Sequence, residues 1–279
     1  MSASSRVPPA SERAAVTCLL PTRRVEKPWG REVLPPAFAA QPGRRVGEIW
    51  FEPPAGFDAL LAKYIFTSDK LSVQVHPPGE AGKDECWLVL EAEPGAVLGI
   101  GFTRPVTAED MRRGALDGSI EGMLAWHPVK PGDFVYIPAG TVHAIGAGIS
   151  LVEVQQNRDC TYRFYDYGRP RELHLEDALK VARGQPHDPA LRTDLPERGQ
   201  VSLVRGPFFR LDRADGPVDA ALAARYGDTP LLVLPLSEGI RVTGEAAGCG
   251  QCALAPSLAD VEIVEGARCL LAQPCTPGA

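Results

Sequence analysis

Apolar residues recur along this chain at two spacings, and the shorter one dominates. At residues 71–76, Leu71, Val73 and Val75 alternate with Ser72, Gln74 and His76, so a strand there puts aliphatic groups on one face and polar groups on the other. Short runs of the same kind stand at 47–51, 85–90, 133–137 and 150–154, and again at 201–205, 230–235, 252–255 and 261–271. Two stretches carry helical signals instead. Thr107 to Asp110 resembles a helix N-terminus with acidic residues in its first turn, which predicts a helical insertion over about 107–126. Residues 175–183 place apolar side chains at helical spacing, with Gly184 positioned to end the helix.

This pattern predicts an all-β fold with a few helices. The 28 glycines and 27 prolines, spread between the short apolar runs, point the same way. At 279 residues and 44% hydrophobic content the chain is long enough to bury a sizeable core. Residues 1–24 lack periodicity and are expected to form an arm. Residues 25–195 are expected to form the main β unit, and after a polar, Pro-containing stretch at 184–198, residues 196–279 are expected to form a second, smaller one.

Charge narrows the partners. A formal net charge of -6 supplies no general attraction for nucleic acid, so an anionic substrate needs a local basic pocket. No segment reaches the ~20 apolar residues of a membrane span, and the N-terminus lacks the apolar centre of a secretory signal, so the expected location is the cytoplasm. The seven cysteines are odd in number and scattered, which does not suggest a disulfide framework. Cys249 and Cys252 alone are closely spaced, either as a redox or metal motif or as part of a tight turn between strands.

The candidate chemistry lies between Lys70 and Arg169. Gln74 and His76 sit two apart on a strand and project from the same face, so both can converge on one ion. Glu85 opens a segment placed to pair after the turn at Pro77 to Gly79, bringing a carboxylate alongside, and His143 would supply a fourth ligand. One glutamine, two histidines and one glutamate suit Zn²⁺, one per chain, while leaving other divalent metals open. Gly132, Pro138, Gly140 and His143 match the spacing of the second cupin motif, Gly-x5-Pro-x-Gly-x2-His, at every specified position. In the first motif Gln74 stands where a histidine usually does.

Residues 70–77, 82–87, 138–150, 153–157 and 161–169, with Lys27 to Gly30 near the start, resemble the type I mannose-6-phosphate isomerases, especially their short bacterial form. The resemblance covers roughly residues 25–185 well and the remainder loosely. It implies a cupin, or jelly-roll, barrel carrying the metal site, followed by a smaller, degenerate cupin-like β unit. It also implies a zinc held by Gln74, His76, Glu85 and His143, and interconversion of mannose 6-phosphate and fructose 6-phosphate. Arg163 matches the arginine that the family presents in its active site, for enediolate stabilisation or phosphate binding. Lys83 matches a family lysine near the substrate, although it also reads as an exposed loop lysine.

Glu153 is the acid/base candidate, because an inward carboxylate on an apolar-flanked strand needs a partner and is open to tuning; alternation alone equally permits an outward one. Arg24, Lys27 and Arg169 are further candidates for a basic pocket. The chain departs from the family pattern at Pro78 and Gly79, where acidic residues are common, and it has no histidine after His187, so the C-terminal unit is expected to be a scaffold. Other readings are a cupin acting on a different sugar phosphate, an iron-dependent redox cupin, and a non-catalytic sugar-binding cupin.

Overall fold

The structure, a computed structural model, describes residues 18–38, 43–79 and 82–275. In chain order it begins with β1 (Thr22–Arg31), β2 (Val46–Phe51), β3 (Leu60–Phe66), β4 (Val73–Val75), β5 (Glu85–Ala92) and β6 (Val97–Phe102). Helices α1 (Ala108–Asp117) and α2 (Ile120–Met123) follow. Then come β7 (Leu124–Pro128), β8 (Asp133–Ile137), β9 (His143–Ile145), β10 (Ile149–Gln156), β11 (Tyr162–Tyr165), α3 (Leu175–Val181) and β12 (Arg192–Asp194). These strands form two antiparallel sheets, one of seven strands ordered β1-β2-β3-β10-β5-β8-β12 and one of five ordered β11-β4-β9-β6-β7. Facing each other, they make the expected cupin barrel.

The rest of the chain adds β13 (Val201–Arg205), β14 (Phe209–Asp215), α4 (Ala220–Tyr226), β15 (Leu231–Pro235), β16 (Ile240–Val242), β17 (Glu245–Ala247), β18 (Ala253–Ala255), β19 (Val261–Ile263) and β20 (Arg268–Pro274). They build a five-stranded sheet, β13-β14-β20-β15-β18, and a three-stranded one, β17-β16-β19. A core that includes Leu231, Val233, Ile240, Val242 and Ile263 fills this second β unit.

The seven-stranded sheet is covered on both faces, and this explains its composition. Every residue of β3 is buried, yet its two faces go to different places. Leu60, Ala62, Tyr64 and Phe66 join a core that also holds Phe209, Leu211, Leu232 and Leu270 of the C-terminal unit, whereas Ile65 faces the barrel interior and Leu61 and Lys63 line a pocket. Strand β10 repeats the split: Val152 and Val154 pack towards the C-terminal unit, Ile149 and Leu151 fill the barrel, and Glu153 and Gln155 line the pocket. A strand buried on both faces loses the clean alternation of a half-exposed one.

Several local expectations meet their structures. Thr107 caps α1 with a capping box, its hydroxyl accepting from the Asp110 amide while the Asp110 carboxylate accepts from the Thr107 amide. The helical part of the insertion spans 108–123, and Leu124 already belongs to β7. Helix α3 ends at Val181, short of Gly184. Gly184 serves a different purpose: a Cβ there would lie 2.1 Å from the Val106 carbonyl oxygen, so only glycine lets the two backbones pair. The run at 261–271 is broken into β19 and β20 by a turn in which Gly266 adopts a positive φ of 79°.

Of the expected arm, residues 1–17 lie outside the described residues. Residues 18–24 are not arm-like. The Leu20 amide donates to the Cys252 carbonyl and the Leu254 amide to the Cys18 carbonyl, so this segment pairs with β18, and β1 begins at Thr22. The pattern there is obscured because β1 is exposed along much of its length. Cys249 and Cys252 are free thiols in the turn between β17 and β18, the first exposed and the second buried.

Candidate active site

Three strands of the smaller sheet set one row of side chains. Val73 and Val75 of β4 are buried in the core behind the sheet, which turns Gln74 and His76 towards the barrel interior. Gln74 lies opposite His143 of β9 on one side and Arg163 of β11 on the other. Directly cross-strand residues share a face, so Arg163, Gln74 and His143 stand side by side. Glu85 enters from β5 in the opposite sheet, and Trp87, two residues on, packs edge-on to His143 with ring centroids 5.4 Å apart.

Donor atoms of His76, Glu85 and His143 all lie within 4.8 Å of one another, and all three side chains are buried. His76 Nε2 is 3.3 Å from Glu85 Oε2, and His143 Nε2 is 3.4 Å from Glu85 Oε1. Each imidazole is oriented from behind: His76 Nδ1 lies 2.7 Å from the Cys160 carbonyl and His143 Nδ1 2.9 Å from the Thr141 carbonyl. With Nδ1–H donating outward, each Nε2 lone pair points at the shared space. Gln74 Nε2 lies 3.2 Å from His143 Nε2, and a half-turn of this amide brings its oxygen to the same place.

This donor set fits a divalent cation. Neither Glu85 oxygen accepts a hydrogen bond of good geometry although both are buried, and a carboxylate left so is costly without a cation. The Lys83 ammonium answers part of that need, standing 2.7 Å from Glu85 Oε2 and 3.3 Å from His76 Nε2. Burial alone would raise the Glu85 pKa, but Lys83 and the two imidazoles outweigh it and hold it well below the usual carboxylate range. Burial pushes His143 the other way, down to about 4, so its ring is neutral and available as a ligand at physiological pH.

Around this cluster runs a chain of alternating charges. Lys83 Nζ is also 3.3 Å from Glu153 Oε1, and Lys63 Nζ is 2.9 Å from the same oxygen. The Trp87 indole donates to Glu153 Oε2 at 3.1 Å, so Glu153 faces inward. Glu48 sits beyond Lys63, accepting from the Trp50 indole at 2.6 Å and pairing with Lys27 at 3.5 Å. Although burial works against its charge, Lys63 and Lys27 draw the Glu48 pKa down, while Glu153 and Glu48 overcome burial at Lys63 and raise its pKa.

All of this opens into a cavity of about 280 Å³ lined by Gln74, Lys83, Glu153 and Arg163, among others. Arg163 has no ion pair among the described residues, and its Nε is buried without a hydrogen-bond partner. Burial, with Arg171 nearby, lowers its pKa. The seven residues singled out from the sequence are thus brought together. Lys27 also lines the cavity, whereas Arg169 is tied to Asp166 at 3.1 Å and to Asp69, and Arg24 does not line it.

Lys63, Glu48, Arg158, Arg171 and His174 line the cavity and were not singled out. Lys63 had a readable signal, a lone charge inside the apolar run Leu60–Phe66. Arg171 and His174 had none, since a loop carries no periodicity. Arg171 donates to the buried Asp166 at 2.6 and 2.7 Å, and the Arg163 amide lies 3.4 Å from His174 Nδ1.

No family model matches the chain. Among curated proteins, it is 39% identical over 203 residues to the mannose-6-phosphate isomerase of Streptococcus mutans, covering 66% of this chain and 62% of that one. It is 42% identical over 199 residues to ManA of Bacillus subtilis, another mannose-6-phosphate isomerase, covering 64% and 62%. To the mannose-6-phosphate isomerase homologue YvyI of Bacillus subtilis it is 32% identical over 222 residues, covering 71% and 69%. The chain therefore spans less than two thirds of the length of the first two of these relatives. The crystal structure of the Bacillus subtilis mannose 6-phosphate isomerase superposes with a TM-score of 0.71 at 23% identity, over 91% of this chain and 98% of that one. A zinc-bound mannose 6-phosphate isomerase gives 0.67 at 13% identity, over 92% and 99%. At these identities the structural matches speak to the fold.

Proposed function

This chain belongs to the mannose-6-phosphate isomerase family, and on that premise we propose that it is a metal-dependent aldose–ketose isomerase interconverting mannose 6-phosphate and fructose 6-phosphate. The observation that carries the reading is the meeting of Gln74, His76, Glu85 and His143 beside Lys83, Glu153 and Arg163 at one cavity. We assign the first four as metal ligands and Zn²⁺ as the metal, because two imidazole nitrogens with carboxylate and amide oxygens suit it. A divalent ion held there supplies electrostatic stabilisation to oxygen as negative charge develops on it.

The chain's own residues account for the remaining needs of the reaction. Isomerisation moves a proton from C2 of the aldose to C1 of the ketose through an enediol, while the hydroxyl proton moves likewise from O2 to O1. Glu153 is the carrier of the carbon-bound proton, held in place by Lys63, Lys83 and the Trp87 indole. Lys83, with its ammonium between Glu85 and Glu153, donates to the substrate oxygens. Arg163, free of a carboxylate partner among the described residues, pairs with the enediolate or the phosphate. The low-dielectric walls around Trp87 and Leu71 strengthen each of these contacts.

We place the catalytic unit at residues 25–195 and the scaffold unit at 196–279. The expected cytoplasmic location is part of the same proposal; no helix among the described residues is long and apolar enough to cross a membrane. The deciding experiment is conversion of mannose 6-phosphate to fructose 6-phosphate by purified protein, before and after metal removal and after zinc is restored. Activity that falls on chelation and returns with zinc supports the assignment. A folded, zinc-loaded protein that leaves mannose 6-phosphate unchanged but converts another sugar phosphate would move the substrate assignment to that sugar, and turnover of none would make it a binding protein.

A further inference from the structure

We propose that the C-terminal unit carries a second anion site, selective for a phosphate group, in a pocket of about 230 Å³ beside the edge strand β13. Arg205, Arg210 and Arg225 line it together with a single acid, Asp212. Asp212 is buried and already committed: Arg225 Nη2 donates to it at 2.6 Å and the Tyr226 hydroxyl at 2.9 Å. Arg205 and Arg210 have no ion pair among the described residues, and the Arg225 Nε is buried without a hydrogen-bond partner.

The placement of these arginines is built into the sheet. Arg205 and Arg210 lie directly opposite one another on β13 and β14, a pairing of like charges that disfavours the isolated hairpin. Arg210 shares its face of β14 with Asp212, and its guanidinium stands 5.9 Å from the Tyr226 ring, next to Arg225 in the chain. Arg205 is held by a bond from its Nε to the Ser202 hydroxyl at 3.0 Å, and Ser202 is itself opposite Asp212. Three guanidinium groups against one neutralised carboxylate leave a local excess of positive charge in a chain whose net charge is -6. A phosphate dianion, taking paired N–H bonds from more than one arginine, supplies the missing charge and fits the cavity. The cavity shares no lining residue with the one around Gln74 and Arg163.

The test is a titration of the full-length, metal-loaded protein with inorganic phosphate and, in a parallel arm, with glycerol 3-phosphate. Binding is followed by calorimetry and by the Nε–Hε resonance of Arg225, assigned by its loss in Arg225→Lys. A saturable shift is expected that weakens as salt is raised, is at least tenfold weaker in the double variant Arg205→Gln/Arg210→Gln, and persists in Arg163→Gln. Both replaced arginines reach solvent, so the double variant is expected to keep the wild-type melting temperature and its turnover of mannose 6-phosphate. Tighter binding of the ester assigns the pocket to organic phosphates, and tighter binding of the free ion assigns it to inorganic phosphate. Absence of a saturable Arg225 shift with either probe, or equal affinity in the double variant, overturns the site whatever the isomerase assay shows.

Discussion

His143 takes its orientation from Thr141, its neutrality from burial and its position from a cross-strand partner, Gln74. Replacing it with alanine is therefore expected to remove bound metal and to lower isomerase activity by about 100-fold or more. Metal content and turnover of the purified variant check this together; full activity in a folded, metal-free protein would sink the proposed ligand set. Lys63 is a different kind of residue. It neutralises Glu153 from a side chain only 7% exposed, so Lys63→Met leaves Glu153 sharing Lys83 alone and is expected to cost about 3 kcal/mol in a urea unfolding titration. An unchanged unfolding midpoint would show that Lys83 suffices. The sequence pointed to the proposed ligands because Gln-x-His on a strand and the Gly-x5-Pro-x-Gly-x2-His spacing each dictate a direction for the side chain. It left Glu153 undecided, because alternation fixes which residues share a face and not which face turns inward.

Histidine also sets a pH dependence away from the cavity. On the edge strands of the two barrel sheets, Arg192 of β12 reaches across to His127 of β7, with Arg192 Nη1 2.7 Å from His127 Nδ1. The guanidinium can only donate, so His127 Nδ1 must carry its lone pair. Burial and Arg192 accordingly lower its pKa, and burial lowers that of His187 as well. In the unfolded chain both titrate near ~6.5. As pH falls through that value the unfolded state takes up protons that the folded state refuses, so stability is expected to drop below pH ~6.5. Melting temperatures between pH 5 and 7.5 should show the decline, with a shallower slope in His127→Gln; an identical slope would remove His127 from the account.

At the scale of elements, burial on both faces did not by itself hide a strand, since β10 and β15 fall on short apolar runs read from the sequence. Strand β8 and strand β13 fall where alternation puts them, whereas β3 reads as an undifferentiated apolar run because its two faces serve two cores. Glycine misled for a related reason. Gly184 looks like a helix terminator, yet its place is set by the approach of another backbone, which no local pattern encodes. Gly184→Ala is expected to push the 184 backbone off Val106 and to destabilise the fold by about 2 kcal/mol, with little effect on metal content. A melting temperature equal to wild type would mean that the loop yields at no cost.

For the whole molecule, the two β units share a core rather than a linker. Tyr64, Phe66, Leu88, Val152 and Val154 of the barrel pack with Phe209, Leu211 and Leu270 of the second unit, and the Tyr136 hydroxyl, behind that interface, bonds Asp84 between Lys83 and Glu85. A chain cut after residue 195 is expected to expose this apolar face and to aggregate or lose bound metal. A soluble, monomeric fragment with native near-ultraviolet dichroism would count against the scaffold role. Sequence periodicity suggested two units in order along the chain but could not show that they are fused across a sheet face, because that contact joins residues far apart in number.

The pairing of residues 18–20 with β18 sets the order in which the molecule can be finished. Cys18 bonds Glu245 across a separation of 227 residues, so the earliest described segment waits, during synthesis, for the strands beyond residue 240 to leave the ribosome. Until then residues 18–20 lack the strand they pair with. Folding is thus expected to end with a slow step in which the two ends of the fold close on each other, and nascent chains stalled before that point are those most in need of a chaperone.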